Sequence, residues 1–356
     1  MADVVPPRHL SDFTPEWLSS VLEARISDVR LTEIAVGEGF TGKLARLDLT
    51  YADDVGTSLP SSVIGKLPSD EPGAVMLGQL LRLWEREARF YNDVAPTLPC
   101  RTARCFYADG YPDEGLWSLV LEDLSFARVG DQVAGTSVED ARRAIEWLVP
   151  FHAAWWGRES EVFDWLPRVK TDPTYEALQP MLEGVFPKFM VDLAAELPAP
   201  AVAWVERAIP TFKERLHEEP FPSTIYHSDY RLDNMFFESA GGVIPIDWQA
   251  LAVGQGMYDV AYFIANCVPT DQRRETERDL VERWRSGLEA NGIAMPSAAD
   301  TFEEYRKMVL LVMLVGALLF GQLDFTVNAR AGDLAKICAK RTFEAGVDLG
   351  VGEFVA

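Results

Sequence analysis

The stretch IYHSDYRLDNMFF, residues 225–237, sets His227, Asp229, Arg231 and Asn234 between two apolar ends. In the spacing His-x-Asp-x-x-x-x-Asn, the aspartate can accept the proton of a hydroxyl group. The asparagine can hold magnesium through its amide oxygen. After the turn ESAGG, a second apolar run, VIPIDWQ, delivers Asp247. Two short strands joined by a turn make a hairpin that can return Asp247 beside Asn234. Magnesium prefers such hard oxygen donors and fills its other positions with phosphate and water. Arg231 stands where its charge could lie over a transferred phosphoryl group or pair with Asp233. Each residue type has an ordinary use too: Asp and Asn favour turns, and a single histidine is often a satisfied core residue. The whole set, on one hairpin, points to phosphoryl transfer.

Such chemistry needs a grip on phosphate. Gly37, Gly39 and Gly42 in VGEGFTGKL form G-x-G-x-x-G, and Lys43 extends this to G-x-x-x-x-G-K. A Walker loop would follow its lysine with Ser or Thr, and this chain has Leu44; a Rossmann loop would lead into a helix, and an alternating strand follows here. A glycine loop between two strands is the protein-kinase arrangement, a flap over ATP phosphates. Lys66, in VIGKL on the next expected strand, is placed to anchor a phosphate. A carboxylate must hold its ammonium, and Glu87 in WEREARFY is preferred for that over Glu85, which lies on a different helix face.

Together, HSDYRLDN and IDWQALAVGQGMYDVAYFI resemble the aminoglycoside phosphotransferase and choline kinase superfamily. The chain is similar in particular to its ecdysteroid-kinase-like and acyl-CoA-dehydrogenase-associated phosphotransferase branches. The glycine loop, Lys66, EARFY, LVLEDL and VPFHAAWW extend the likeness over most of the sequence. The resemblance implies a bilobal, protein-kinase-like α+β fold with ATP and magnesium as cofactors. In it Asp229 is the base, Asn234 and Asp247 hold the metal, and Lys66 and Glu87 position the nucleotide. Backbone groups near Glu122 and Leu124 would meet adenine. Two positions depart from the pattern. Ser228 stands where the family commonly has glycine, and Trp248-Gln249 follows the metal aspartate where protein kinases have Phe-Gly.

The elements that must carry these residues are legible in part. KLARLDLTY alternates with period two and reads as a strand, as do SSVIGKL and LWSLVLEDL. MLGQLLRLWEREARFYNDV has helical spacing, with Leu77, Leu80, Leu81, Trp84 and Ala88 along one stripe. Beyond residue 137 helices dominate: one capped by Thr136 or Ser137, then segments near 174–195, 200–217, 272–291, 301–322 and 331–347. Strands first and helices after predict an α+β chain of two lobes; with the resemblance, this implies a small β-rich N-terminal lobe with one key helix over 1–122, a hinge over 123–128 and a larger helical lobe over 129–356. Asp259, in GMYDVAYFI, is expected to cap a helix or brace the catalytic loop rather than bind metal, and His152 and His227 are expected to brace the loop through hydrogen bonds. The segment 153–223, with Trp155, Trp156, Phe163, Trp165, Phe186 and Phe189, could wall an acceptor site, although aromatics at this spacing also build cores.

Composition narrows the partners. A net charge of −22 over 356 residues disfavours nucleic acid, whose phosphates need basic surfaces. The longest apolar run, 308–320, is shorter than the roughly 20 residues of a membrane span and reads as a buried helix. The N-terminus lacks the pattern of a secretory signal, so a cytoplasmic location is expected. Four cysteines show neither zinc nor disulfide spacing. Only WQALAVGQGMY separates Asp247 from Asp259, too little for a peptide platform. A small hydroxyl-bearing acceptor is therefore expected, with no obligate protein partner. The alternatives are an aminoglycoside- or choline-type kinase with a cationic acceptor, or a nucleotide-binding protein without turnover.

Overall fold

Period-two alternation in the first hundred residues becomes a five-stranded antiparallel sheet. β1 (Ile26–Ile34), β2 (Gly42–Tyr51), β3 (Ser62–Pro68), β4 (Cys105–Tyr111) and β5 (Leu116–Glu122) lie in the order β1-β2-β3-β5-β4. The computed structural model describes residues 4–34, 42–53, 59–322 and 329–355. Helix α1 (Pro15–Leu22) begins at Thr14, whose hydroxyl accepts the Trp17 amide, with proline at its first position. Leu18 and Leu22 of α1 and the preceding Phe13 bury against Ala45, Leu47 and Val63 of the sheet. Gly65 is needed there: a Cβ would come within 2.7 Å of the Phe13 ring.

The chain divides into two compact units. The first comprises 1–97, 102–127 and 246–250; the second comprises 98–101, 128–245 and 251–356. Residues 246–250 therefore group with the sheet-bearing unit, whereas the sequence put them with the helical region. Packing explains this. Trp248 stacks on Phe90 at 3.7 Å between ring centroids, and Gln249 donates to Glu87.

The helix expected over 76–94 is broken. α2 (Pro72–Leu80) ends at Leu81, and Arg82 is left-handed with φ 53°. α3 (Leu83–Arg89) then begins and runs into a wider turn over Phe90–Val94. The break rotates the expected stripe, so Leu77 and Leu80 face solvent while Trp84 and Ala88 are buried. Gly78 meets the Trp84 ring instead.

In the second unit, α4 (Val138–Trp155) is capped by Ser137, which accepts from the Asp140 amide. α5 (Pro173–Glu176), α6 (Leu178–Asp192), α7 (Ala199–Ala208) and α8 (Phe212–Leu216) precede a short β segment. There β6 (Arg128–Val129), β8 (Met235–Phe237) and β9 (Val243–Pro245) form one small sheet. β7 (Thr224–Tyr226) and β10 (Ala252–Gly254) form another. α9 (Met257–Cys267), α10 (Thr270–Ala290), α11 (Ala298–Gln322) and α12 (Ala329–Asp348) complete it. The apolar run 308–320 lies inside α11, with Met308–Leu314 buried. Among the described residues no helix is long and apolar enough to cross a membrane. Trp155, Trp165, Phe186 and Phe189 are buried, and Phe189 packs on Phe343, so these aromatics build core rather than an acceptor wall.

Candidate active site

Lys66 sits on β3 with its neighbours in register against β5. Its ammonium lies 2.7 Å from one Glu87 oxygen and 2.8 Å from the other, and 3.2 Å from Asp247 Oδ1. The Lys66 side chain is 11% exposed and that of Glu87 is 1%, whereas Asp247 is 34% exposed. Burial alone would lower the lysine pKa. The charges of Asp247 and Glu87 outweigh it and hold the ammonium above its ordinary range. Glu85 turns elsewhere and pairs with Arg89 at 3.2 Å, so Glu87 is the partner. Gln249, two residues after Asp247, donates to Glu87 Oε2 at 3.2 Å. Asp247 is itself left-handed at φ 65°, a region that Asp and Asn tolerate better than most residues.

The catalytic-loop candidates lie in the second unit, between β7 and β8. Three donors converge on the Asp229 carboxylate. Arg231 Nε (3.2 Å) and Asn234 Nδ2 (2.9 Å) reach Oδ2, and the Tyr262 hydroxyl (3.1 Å) reaches Oδ1. Burial works to raise the Asp229 pKa, but Arg231 and then His227 pull it below the usual carboxylate range. Burial, and then the Asp229 charge, push the Tyr262 phenol well above its usual value, so it remains a donor. Arg231 Nη1 also meets Asp233 at 2.9 Å, the pairing that the sequence offered as one of its two readings. Asn234 spends its amide nitrogen on Asp229, which leaves the amide oxygen for a cation. The hairpin of β8 and β9 pairs Met235 with Pro245.

The loop is fixed from beneath by a buried carboxylate. Asp259 accepts the backbone amides of His227 (2.7 Å) and Ser228 (2.9 Å). His152 Nε2 lies 3.3 Å from the same carboxylate, and His152 Nδ1 accepts from Trp284 Nε1 at 3.0 Å. The indole can only donate, so the imidazole proton sits on Nε2, facing Asp259. Asp259 thus braces the loop, as its sequence position suggested. Ser228 explains its departure from the family pattern: φ is 69°, a conformation that glycine adopts without strain. Gln132 adds a second tether, accepting the Leu232 amide at 2.9 Å and donating its own to Asp233.

Of the remaining sequence candidates, Gly37 and Gly39 lie outside the described residues. Gly42 opens β2, where a Cβ would stand 3.1 Å from the Leu67 carbonyl and 3.6 Å from Lys66 Cε. Glu122 ends β5, and its side chain accepts the Arg104 amide at 2.9 Å. Leu124 follows, buried at 5% exposure. Asn234 and Asp247 belong to different units. Among the described residues no cluster of three His, Cys, Asp or Glu side chains could hold a metal. A carboxylate oxygen and an amide oxygen are each donors of the hard kind that magnesium takes. Tyr262 and Gln132 went unnoticed in the sequence, because a tyrosine or glutamine far from the motif carries no spacing signal; Gln249 stood out there only as a departure from Phe-Gly, with no sign of its bond to Glu87.

The profile of the ecdysteroid kinase-like family matches residues 36–292. The chain belongs to that family. A comparison of this family member with curated proteins finds no match. Among solved structures, its fold is similar to choline kinase from Cryptosporidium parvum Iowa II, at 11% identity and a TM-score of 0.58, covering 96% of this chain and 95% of that one. It is also similar to APH(2")-IIia in a complex with GDP and kanamycin, at 12% identity and a TM-score of 0.55, covering 92% and 94%. A macrolide 2'-phosphotransferase type I resembles it at 14% identity and a TM-score of 0.50, covering 94% and 99%. At such identities the likeness is one of fold: this ecdysteroid kinase-like chain has the α+β architecture of those phosphotransferases, a β-sheet region followed by a helical one.

Proposed function

We propose that this chain is a small-molecule kinase that uses magnesium and ATP to phosphorylate a hydroxyl group. The observation that carries the reading is the Asp229 carboxylate, kept ionised by Arg231 and held at both oxygens by Arg231, Asn234 and Tyr262. An anionic aspartate so fixed can accept the acceptor's proton as the bond from its oxygen to the γ-phosphorus forms and the bond to the departing ADP oxygen breaks. Lys66, locked by Glu87, would steady the nucleotide phosphates. Arg231 would offset charge on the transferred group. Asn234 and Asp247 would supply oxygen ligands to magnesium, which neutralises phosphate charge when bound. Backbone near Glu122 and Leu124 would take the adenine, and Gly37, Gly39 and Gly42 would cover the phosphates.

The acceptor is a small alcohol. The ring of Tyr258 stacks on that of Tyr262 at 5.7 Å, beside Asp229, which favours an acceptor with an apolar body next to its hydroxyl. The test is transfer of labelled γ-phosphate to metabolites of a cell extract, with the product identified by mass. Asp229→Asn should lower transfer by about 10²–10⁴-fold, and chelation of divalent cations should stop it. Transfer that survives in Asp229→Asn would remove the base. Binding of magnesium-ATP with no transfer to any acceptor would overturn the reading in favour of a nucleotide-binding protein.

A further inference from the structure

The first unit contains a cavity of about 530 Å³ that the phosphotransferase reading does not use. Small-molecule pockets span roughly 300–1,000 Å³, so the space would accept an organic ligand. One wall is apolar and aromatic, made by Val21, Phe106 and Trp117. α3 and the turn after it supply another part of the lining. There Arg89 is held between Glu85 (3.2 Å) and Asp93 (3.4 Å). Two further carboxylates line the cavity, Glu23 and Asp109, and among the described residues neither pairs with a cation. The lining therefore carries four acidic groups against one base, next to the Trp117 ring, whose face attracts cations, and the Phe106 ring, which already meets the Arg104 guanidinium at 4.7 Å.

The cavity shares a helix with Lys66. Residues two apart on a helix point to different faces, so α3 presents Glu87 to the lysine and Glu85 and Arg89 to the cavity. We propose that this cavity binds a small organic ammonium ion with an aryl or alkyl body, and that its occupancy steadies α3 and favours nucleotide binding at Lys66. The second clause rests on the phosphotransferase reading; the first does not.

The probe is 2-phenylethylamine, protonated at pH 7, titrated calorimetrically into the whole chain, with neutral 2-phenylethanol as the control. Saturable binding of the amine alone is expected. Asp109→Asn and Glu23→Gln, both exposed and outside the catalytic set, should each weaken it about two- to fivefold, and Trp117→Ala should weaken it further. Equal binding of amine and alcohol, no saturable heat, or unchanged affinity in all three variants would overturn the site. Circular dichroism checks that each variant is folded. Magnesium-ATP affinity is then measured with and without saturating amine. Linkage requires the nucleotide to tighten by the same factor by which it tightens the amine. An unchanged nucleotide affinity overturns the coupling. A chain that binds no nucleotide at all sinks the kinase reading, while the amine titration still decides the site.

Discussion

Glu87 and Asp247 share Lys66, and replacing each should have opposite consequences. The Glu87 carboxylate is buried and lies 2.7 Å from the ammonium, so Glu87→Gln leaves a nearly buried charge with only the more distant, one-third exposed Asp247. Removing one partner of a buried pair costs about 3–5 kcal/mol. Since Asp247 remains at 3.2 Å, the lower end applies, about 3 kcal/mol, or a fall in Tm of roughly 4 °C for a chain of 356 residues. Asp247→Asn keeps the Glu87 partner and a side chain that tolerates φ 65°, so its cost should stay within about 1 kcal/mol. Its effect appears in transfer, which on the proposed function should fall by about a hundredfold or more as the proposed metal ligand and its charge are lost. Thermal unfolding by circular dichroism and a γ-phosphate transfer assay on the same preparations separate the two. An Asp247→Asn variant as destabilised as Glu87→Gln, or one that keeps its transfer rate, would refute the division of labour.

Three further outcomes follow from the loop and the C-terminal helices. Asp259→Asn should cost about 2–3 kcal/mol, because buried backbone amides of His227 and Ser228 lose a charged acceptor; urea denaturation reads the loss. Ser228→Gly removes left-handed strain of about 1 kcal/mol, offset by the greater freedom of glycine when unfolded, so stability should change by less than about 1 kcal/mol with transfer retained. A larger loss would assign the serine hydroxyl a necessary contact. Arg274 meets Asp348 at 2.8 Å, and although burial opposes it, Arg274 and Arg273 hold this carboxyl below its ordinary range. Its stabilisation is therefore present above the unfolded value near pH 4 and lost as pH falls through the lower folded value. Asp348→Asn should flatten the acid limb of a stability-versus-pH curve.

Much of this arrangement could be read from the chain because its signals are local. The spacing from His227 to Asn234, the hairpin to Asp247 and the period-two run before Lys66 each fall within one or two elements. Helix geometry put Glu87 and Glu85 on different faces, and the ion pairs to Lys66 and Arg89 decided between them. What stayed hidden depends on tertiary contacts. The break at Arg82 carries no proline or glycine signal and follows from packing of Gly78 against Trp84. Likewise, Cys105–Tyr111 becomes an edge strand because β5 offers it a partner, not because its own pattern announces one. Tyr262 reaches Asp229 across 33 residues of chain, and of the aromatics in 153–223 Trp155, Trp165, Phe186 and Phe189 are buried while Trp156 and Phe163 are half-buried, a distinction their spacing does not carry.

The chain of contacts from Trp284 through His152 and Asp259 to the amides of His227 and Ser228 has a practical corollary. An engineer who transplants α10 from another protein to alter acceptor choice would also replace the indole that orients the histidine. The graft would then misalign a loop it never touches. Substitutions at 152, 259 and 284 should therefore be exchanged as a block, because changing one alone leaves a buried polar group of its neighbour without a partner.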